Sequence, residues 1–189
     1  IPPGESWEAP PVVIQQLPGR DASSGAAPMN RFLNALFPPR KDHQPLVYNT
    51  WLDRMSTLEL PRLRNQLAAA RECGCEVFVV DYGWYNDNKA FTRLNNWDEC
   101  TDRAFCGKMS DFADEVRAAG LGFGFWVEFE FFSAESDVVK EHPDWFLGGG
   151  WQKFLNLGNP EAYEYELNTL RTFIKDLHLD CYRQDFNGK

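Results

Sequence analysis

From residue 45 onward one pattern recurs four times, and it restricts the fold more than any other feature of the chain. A short apolar run is followed by a polar or aromatic stretch and then by a segment with helical spacing. The runs begin at Leu46, Val77, Leu121 and Leu179. Val77-Phe78-Val79-Val80-Asp81 is continuous rather than alternating, as expected of a strand buried on both faces of a parallel sheet. In Leu121-Gly122-Phe123-Gly124-Phe125-Trp126-Val127-Glu128 glycines alternate with bulky residues, which suits the narrowing interior of a barrel. Helices are expected from a capping box at Ser56-Thr57-Leu58-Glu59 to Cys73, from Ser110 to Ala119, and from Asn159-Pro160 towards His178. Gly74 and Gly120 act as stops. Strands alternating with helices predict parallel pairing with right-handed crossovers. Long loops are expected over residues 83–108 and 129–157. The fold class is therefore α/β: four β-α repeats, the first half of a TIM (β/α)8 barrel. A closed barrel needs roughly 250 residues, so the 189 residues here are read as a piece of a larger protein.

The chemistry gathers where each run ends. The first closes on Asn49, Trp51 and Asp53, the second on Asp81-Tyr82-Gly83-Trp84, the third on Trp126, Glu128 and Glu130, the fourth on Arg183, Asp185 and Asn187. In a barrel the C-terminal ends of the strands carry the active site. A single carboxylate there is commonly a solvated loop charge or a helix cap, but four successive strands ending this way point to a site, with Asp185 as the reactive carboxylate. Indole faces stack on the apolar side of a pyranose while carboxylates and amides bond its hydroxyls. The inventory thus fits a carbohydrate pocket, a few placed polar groups among aromatics. A net charge of −9 argues against a nucleic-acid partner, and no apolar run is long enough to span a membrane. HExxH, Walker and dinucleotide motifs are missing from the sequence. The histidines at 43, 142 and 178 are far apart, so neither a metal nor another cofactor is expected. The five cysteines have no zinc-like spacing. Cys100 and Cys106 could pair across a loop, though free thiols are the favoured reading.

Residues 1–27 have a different character. Extended and proline-punctuated up to Ile14 and linker-like in composition from Gly19 to Pro28, they are expected to be the tail of an upstream domain, leaving 28–189 as the half barrel. Met29, Phe32, Leu33, Leu36 and Phe37 then fall at helical spacing ahead of Pro38-Pro39.

Five short motifs together resemble a known family: Asp81-Tyr82-Gly83-Trp84, Trp126-Val127-Glu128-Phe129-Glu130, Glu141-His142-Pro143-Asp144-Trp145, Leu157-Gly158-Asn159-Pro160 and Arg183-Gln184-Asp185-Phe186-Asn187. Their order and spacing resemble the melibiase-type α-galactosidases of glycoside hydrolase family 36, over nearly the whole chain. Residues 2–14 resemble the segment joining that family's N-terminal β-sandwich to its barrel. The resemblance implies a retaining glycosidase with Asp185 as nucleophile and an acid/base carboxyl from a later strand, beyond Lys189. It implies that Trp51 and Trp97 wall the sugar pocket and that Asp81 is the first of two aspartates gripping the 4- and 6-hydroxyls. Arg183 takes the place of a lysine that holds sugar hydroxyls, and Tyr82 and Asn187 are counted with it as substrate-binding residues. Trp84, Trp126 and Glu128 are further candidates. Three departures touch the sugar shell: Tyr82 replaces the second aspartate, Arg183-Gln184 replaces Lys-Trp, and an arginine expected just before Gln152 is absent, with Lys153 the nearest cation.

Two other readings stay open. The same site could transfer a glycosyl unit to another sugar, as a raffinose-synthase-like relative would, or the barrel could bind sugar without catalysis. A half barrel pairing with a second copy carries least weight. The expected partner is a carbohydrate, with no nucleic acid and no membrane, and homo-oligomerisation of the full-length protein is left open.

Overall fold

The computed structural model describes residues 2–17, 19, 21, 23–38, 43–55, 57–85 and 97–185. The chain divides into two compact units, Ile1–Gln44 and Pro45–Lys189. In the first, helix α1 (Ser23–Leu36) begins well inside the stretch expected to be a linker. The Asp21 carboxylate accepts from the Ser23 N–H at 3.0 Å and supplies a start that Gly and Pro content had obscured. Pro28 sits within this helix and removes one donor.

The second unit is built on a parallel sheet of β1 (Val47–Asn49), β2 (Val77–Val80), β3 (Gly122–Val127) and β7 (Cys181–Gln184), in that spatial order. All three pairings are parallel. The four strands are those expected from the sequence, trimmed at their ends. β1 stops at Asn49 because the Asn49 side chain accepts from the Trp51 N–H at 2.8 Å, an Asx turn that starts the short helix α2 (Trp51–Arg54). Helix α3 (Leu60–Glu72) starts beyond the expected capping box and has no side-chain cap; Ser56 lies outside the described residues. Helix α4 (Met109–Ala118) is held at its N-terminus from a distance, by the Glu99 carboxylate on the Met109 N–H at 2.7 Å.

Between β3 and helix α6 (Pro160–Asp176), the stretch expected to be a loop is instead structured. Strands β4 (Phe131–Ser133), β5 (Phe146–Leu147) and β6 (Gln152–Leu155) form an antiparallel sheet in the order β4-β6-β5. The short helix α5 (Asp137–Glu141) and one turn of 3-10 helix at Pro143–Trp145 complete it. The start of α6 is as the sequence indicates, with Asn159 Oδ1 accepting from the Glu161 and Ala162 N–H groups.

The core lies between the sheet and its helices. Every residue of β2 is buried, and Phe78 packs edge-on to Phe112 of α4. Gly124 has a specific reason to be glycine: a Cβ there would sit 2.7 Å from both the Cβ and the carbonyl oxygen of Cys181 across the β3–β7 ladder. All five cysteines are free thiols, and Cys100 Sγ donates to Asp102 at 2.8 Å.

Candidate active site

At the C-terminal end of the parallel sheet a cavity of about 360 Å3 is lined by Trp51, Asp81, Tyr82, Trp126, Glu128, Phe131, Trp151, Gln152, Arg183 and Asp185. Strand pleating explains the membership. Trp126 lies opposite Arg183 in the β3–β7 register. Side chains two apart on a strand share a face, so Glu128 follows Trp126 and Asp185 follows Arg183. Tyr182 and Gln184 point the other way.

Asp81 is a firmly anchored charge in the cavity. It is 5% exposed. Its carboxylate accepts from Asn49 Nδ2 at 2.7 Å and from the Tyr82 N–H at 2.8 Å, while its own N–H donates to Thr50 Oγ1 at 2.9 Å. Arg183 Nε lies 3.9 Å from Asp81 Oδ2. Residues from β1, β2 and β7 therefore fix the position of one carboxylate, and the guanidinium beside it leaves the pair able to serve as both acceptor and donor for a ligand. Asp185 is held differently. Its N–H donates to the Val127 carbonyl at 2.9 Å, extending the β3–β7 ladder by one bond, and its Oδ2 accepts from Trp126 Nε1 at 2.9 Å. Trp126 is itself braced, its carbonyl accepting from Trp84 Nε1 at 2.7 Å.

The aromatic residues separate into wall and support. Tyr82 meets Trp51 and Trp126 with ring centroids 6.1 and 5.4 Å apart, and all three line the cavity. Trp84 and Trp97 do not. Both are buried in a cluster with Tyr85 and Trp126, and Trp97 also packs on Phe129. Lys153 is likewise outside the lining; its Nζ donates to the Gly148 carbonyl at 2.9 Å, and Gln152 takes the cavity position beside it. Asn187 lies outside the described residues. Asp53, at the end of the first apolar run, is engaged by Arg62 and Gln66 of α3 rather than by the cavity. Three lining residues escaped the sequence reading: Phe131, Trp151 and Gln152. Phe131 and Gln152 belong to the small antiparallel sheet, and Trp151 to the turn that joins β5 to β6. The available signal was Gly148-Gly149-Gly150 between two apolar runs, which is a hairpin pattern.

Among the described residues no group of three or more His, Cys, Asp or Glu side chains could hold a metal ion, and no helix is long and apolar enough to cross a membrane.

Residues 30–189 match the melibiase family. The chain belongs to that family. Among curated melibiase relatives, an alpha-galactosidase of Escherichia coli is 28% identical over 160 residues, covering 79% of this chain and 22% of its own length. Alpha-galactosidase AgaA of Geobacillus stearothermophilus is 26% identical over 200 residues, covering 99% of this chain and 27% of its own length. The chain thus spans about a quarter of the length of these relatives. A crystal structure of an AgaA variant, a GH36 alpha-galactosidase in complex with 1-deoxygalactonojirimycin, superposes with a TM-score of 0.70 at 25% identity, over 77% of this chain and 21% of that one. The parallel sheet with its helices is accordingly the α/β fold of part of a TIM barrel, and among the described residues it does not close on itself.

Proposed function

We propose that this chain supplies the sugar-gripping, nucleophile-bearing part of a retaining glycosidase acting on α-galactosides or related α-glycosides. The observation that carries the reading is the Asp185 carboxylate, held by the Trp126 indole in a cavity whose buried end is the anchored Asp81 with Arg183 beside it. Family membership and alpha-galactosidase relatives support the reaction class. A solved relative bound to 1-deoxygalactonojirimycin supports a sugar-shaped ligand.

In this mechanism the sugar ring lies against the rings of Trp51, Tyr82 and Trp126. Asp81 and Arg183 bond its hydroxyls. One oxygen of Asp185 attacks the anomeric carbon as the leaving oxygen is protonated, giving a covalent glycosyl-enzyme that water then cleaves with retention. The Trp126 N–H on Oδ2 fixes the carboxylate plane for that attack. Retaining chemistry needs a second carboxyl about 5–5.5 Å from the nucleophile. We assign that role to a strand beyond Lys189, so hydrolysis by the 189 residues alone is expected to be undetectable.

The test is made on the full-length protein with α-galactosides. Asp185→Asn should lower kcat by roughly 10³-fold or more, and a slow 2-fluoro glycosyl substrate should label the peptide that contains Asp185. Product of inverted configuration, or full activity in Asp185→Asn, rules the mechanism out. Turnover by the isolated chain that Asp185→Asn removes rules out the missing acid/base.

A further inference from the structure

We infer that Trp151, on the hairpin between β5 and β6, is the stacking platform for the leaving-group sugar. The inference rests on the glycosidase reading above and extends it to the outer subsite.

Exposure along the cavity wall gives the direction of the argument. Glu128 and Asp81 are 3% and 5% exposed, Trp51 36%, and Trp151 57%. The buried end holds the Asp81 carboxylate suited to a sugar's own hydroxyls, with the more exposed Arg183 guanidinium 3.9 Å from it, and Asp185 lines the same cavity. A glycosyl unit with its hydroxyls on Asp81 and its anomeric carbon at Asp185 must send its leaving oxygen outward, towards the mouth. The most exposed large ring of the cavity lining is Trp151.

The hairpin is built to present that ring. Gly148, Gly149 and Gly150 precede Trp151, and Gly148 and Gly150 have φ of 91° and 75°, a left-handed backbone that favours glycine. Trp151 is therefore the sole large side chain of the turn. Its backbone is fixed, with the Trp151 carbonyl accepting from the Ala134 N–H at 2.8 Å and the Lys153 ammonium holding the Gly148 carbonyl at 2.9 Å. The indole meets Phe131 at 6.0 Å and 82°, an edge contact that does not cover both indole faces. Gln152, next in sequence and also lining the cavity, offers an amide to the hydroxyls of a sugar so stacked. An exposed indole on a pinned backbone, beside an amide and in the same cavity as a reactive carboxylate, matches the apolar face of a second pyranose.

The experiment compares two substrates of the full-length enzyme. Raffinose carries a disaccharide leaving group, whereas α-galactosyl fluoride carries a single atom that reaches no outer subsite. Trp151→Ala should lower kcat/KM for raffinose about tenfold, mainly through KM, the loss expected for one aromatic stacking contact. Turnover of the fluoride should stay within about twofold, and Trp151→Phe should restore most of the loss on raffinose. If the alanine variant fails to fold, Trp151→Leu, which keeps an apolar side chain without the ring, gives the same comparison. Parallel loss on both substrates by a folded variant, or no loss on either, overturns the subsite and leaves the hydrolase reading standing. A wild-type enzyme that turns over neither substrate overturns the hydrolase reading and the subsite with it. In an Asp185→Asn background, where catalysis is removed, Trp151→Ala should weaken raffinose binding while leaving galactose binding unchanged.

Discussion

The Asp185 side chain carries the proposed chemistry, and Trp126 holds one of its oxygens. The indole N–H donates to Oδ2, and the backbone carbonyl of Trp126 accepts in turn from the Trp84 indole. A hydrogen bond to a charged group contributes about 1.5–3 kcal/mol. Trp126→Phe keeps a ring against Tyr82 and deletes the donor. Its expected effect in the full-length enzyme is a fall in kcat of roughly ten- to a hundredfold, with KM changed far less. Steady-state kinetics on a small aryl α-galactoside would show this; a rise in KM at constant kcat would mean that Trp126 serves as sugar wall and not as carboxylate holder. The same chain of contacts gives Trp97 a different role from the one its resemblance implies. Buried against Trp84, Tyr85, Trp126 and Phe129, it supports the wall from behind. Trp97→Ala should therefore cost about 3–5 kcal/mol of stability, read from a denaturant midpoint. Loss of sugar binding without loss of stability would contradict that.

At the scale of elements, the ladder between β3 and β7 is what brings Trp126 and Asp185 together. Its closest approach is at Gly124, where an added Cβ would meet Cys181 backbone oxygen at 2.7 Å. Backbone cannot swing aside as a long side chain can. Gly124→Ala should thus push the strands apart and cost about 1–3 kcal/mol. The Trp126–Asp185 bond should weaken with it, so denaturation midpoint and kcat should fall together. An unchanged midpoint would show that the ladder relaxes freely. These four strands were legible because each is an apolar run bounded by turn residues, and α6 was legible because Asn159-Pro160 caps it. The β4-β6-β5 sheet was not. Its strands span only two to four residues, too short for alternation to show, and they are defined by pairing with each other. The same cause hid Phe131, Trp151 and Gln152 from the site reading. The residues at the parallel strand ends were legible because pleating alone puts Trp126 with Glu128 and Arg183 with Asp185 on one face.

For the molecule as a whole, acidity is the dominant electrostatic fact, with a net charge of −9, and one position makes it bear on folding. Glu166 of α6 is half-buried, and burial followed by the charge of Glu130 pushes its carboxyl up from 4.5 to about 7. Tyr182 of β7 feels the same surroundings; burial, then Glu166 and Glu130, push its phenol up to about 12. For Glu166 the folded state holds a proton that the unfolded chain has already lost between pH 4.5 and about 7. Its contribution to stability is therefore complete below the unfolded value and is lost as pH rises through the folded one. Above pH 7 the chain must fold with a partly desolvated carboxylate facing a second one. Glu166→Gln removes that charge without changing the side chain's size. Solvent still reaches the group, so the gain is set at about 1 kcal/mol, or about 2–4 °C in Tm, at pH 8. At pH 4.5, where the native carboxyl is protonated, the substitution should change Tm by less than about 1 °C. Glu130→Gln should reproduce part of the gain at pH 8, since its charge is the second cause of the shift and burial the first. Equal stabilisation at both pH values would mean that amide packing, and not the displaced proton, sets the effect.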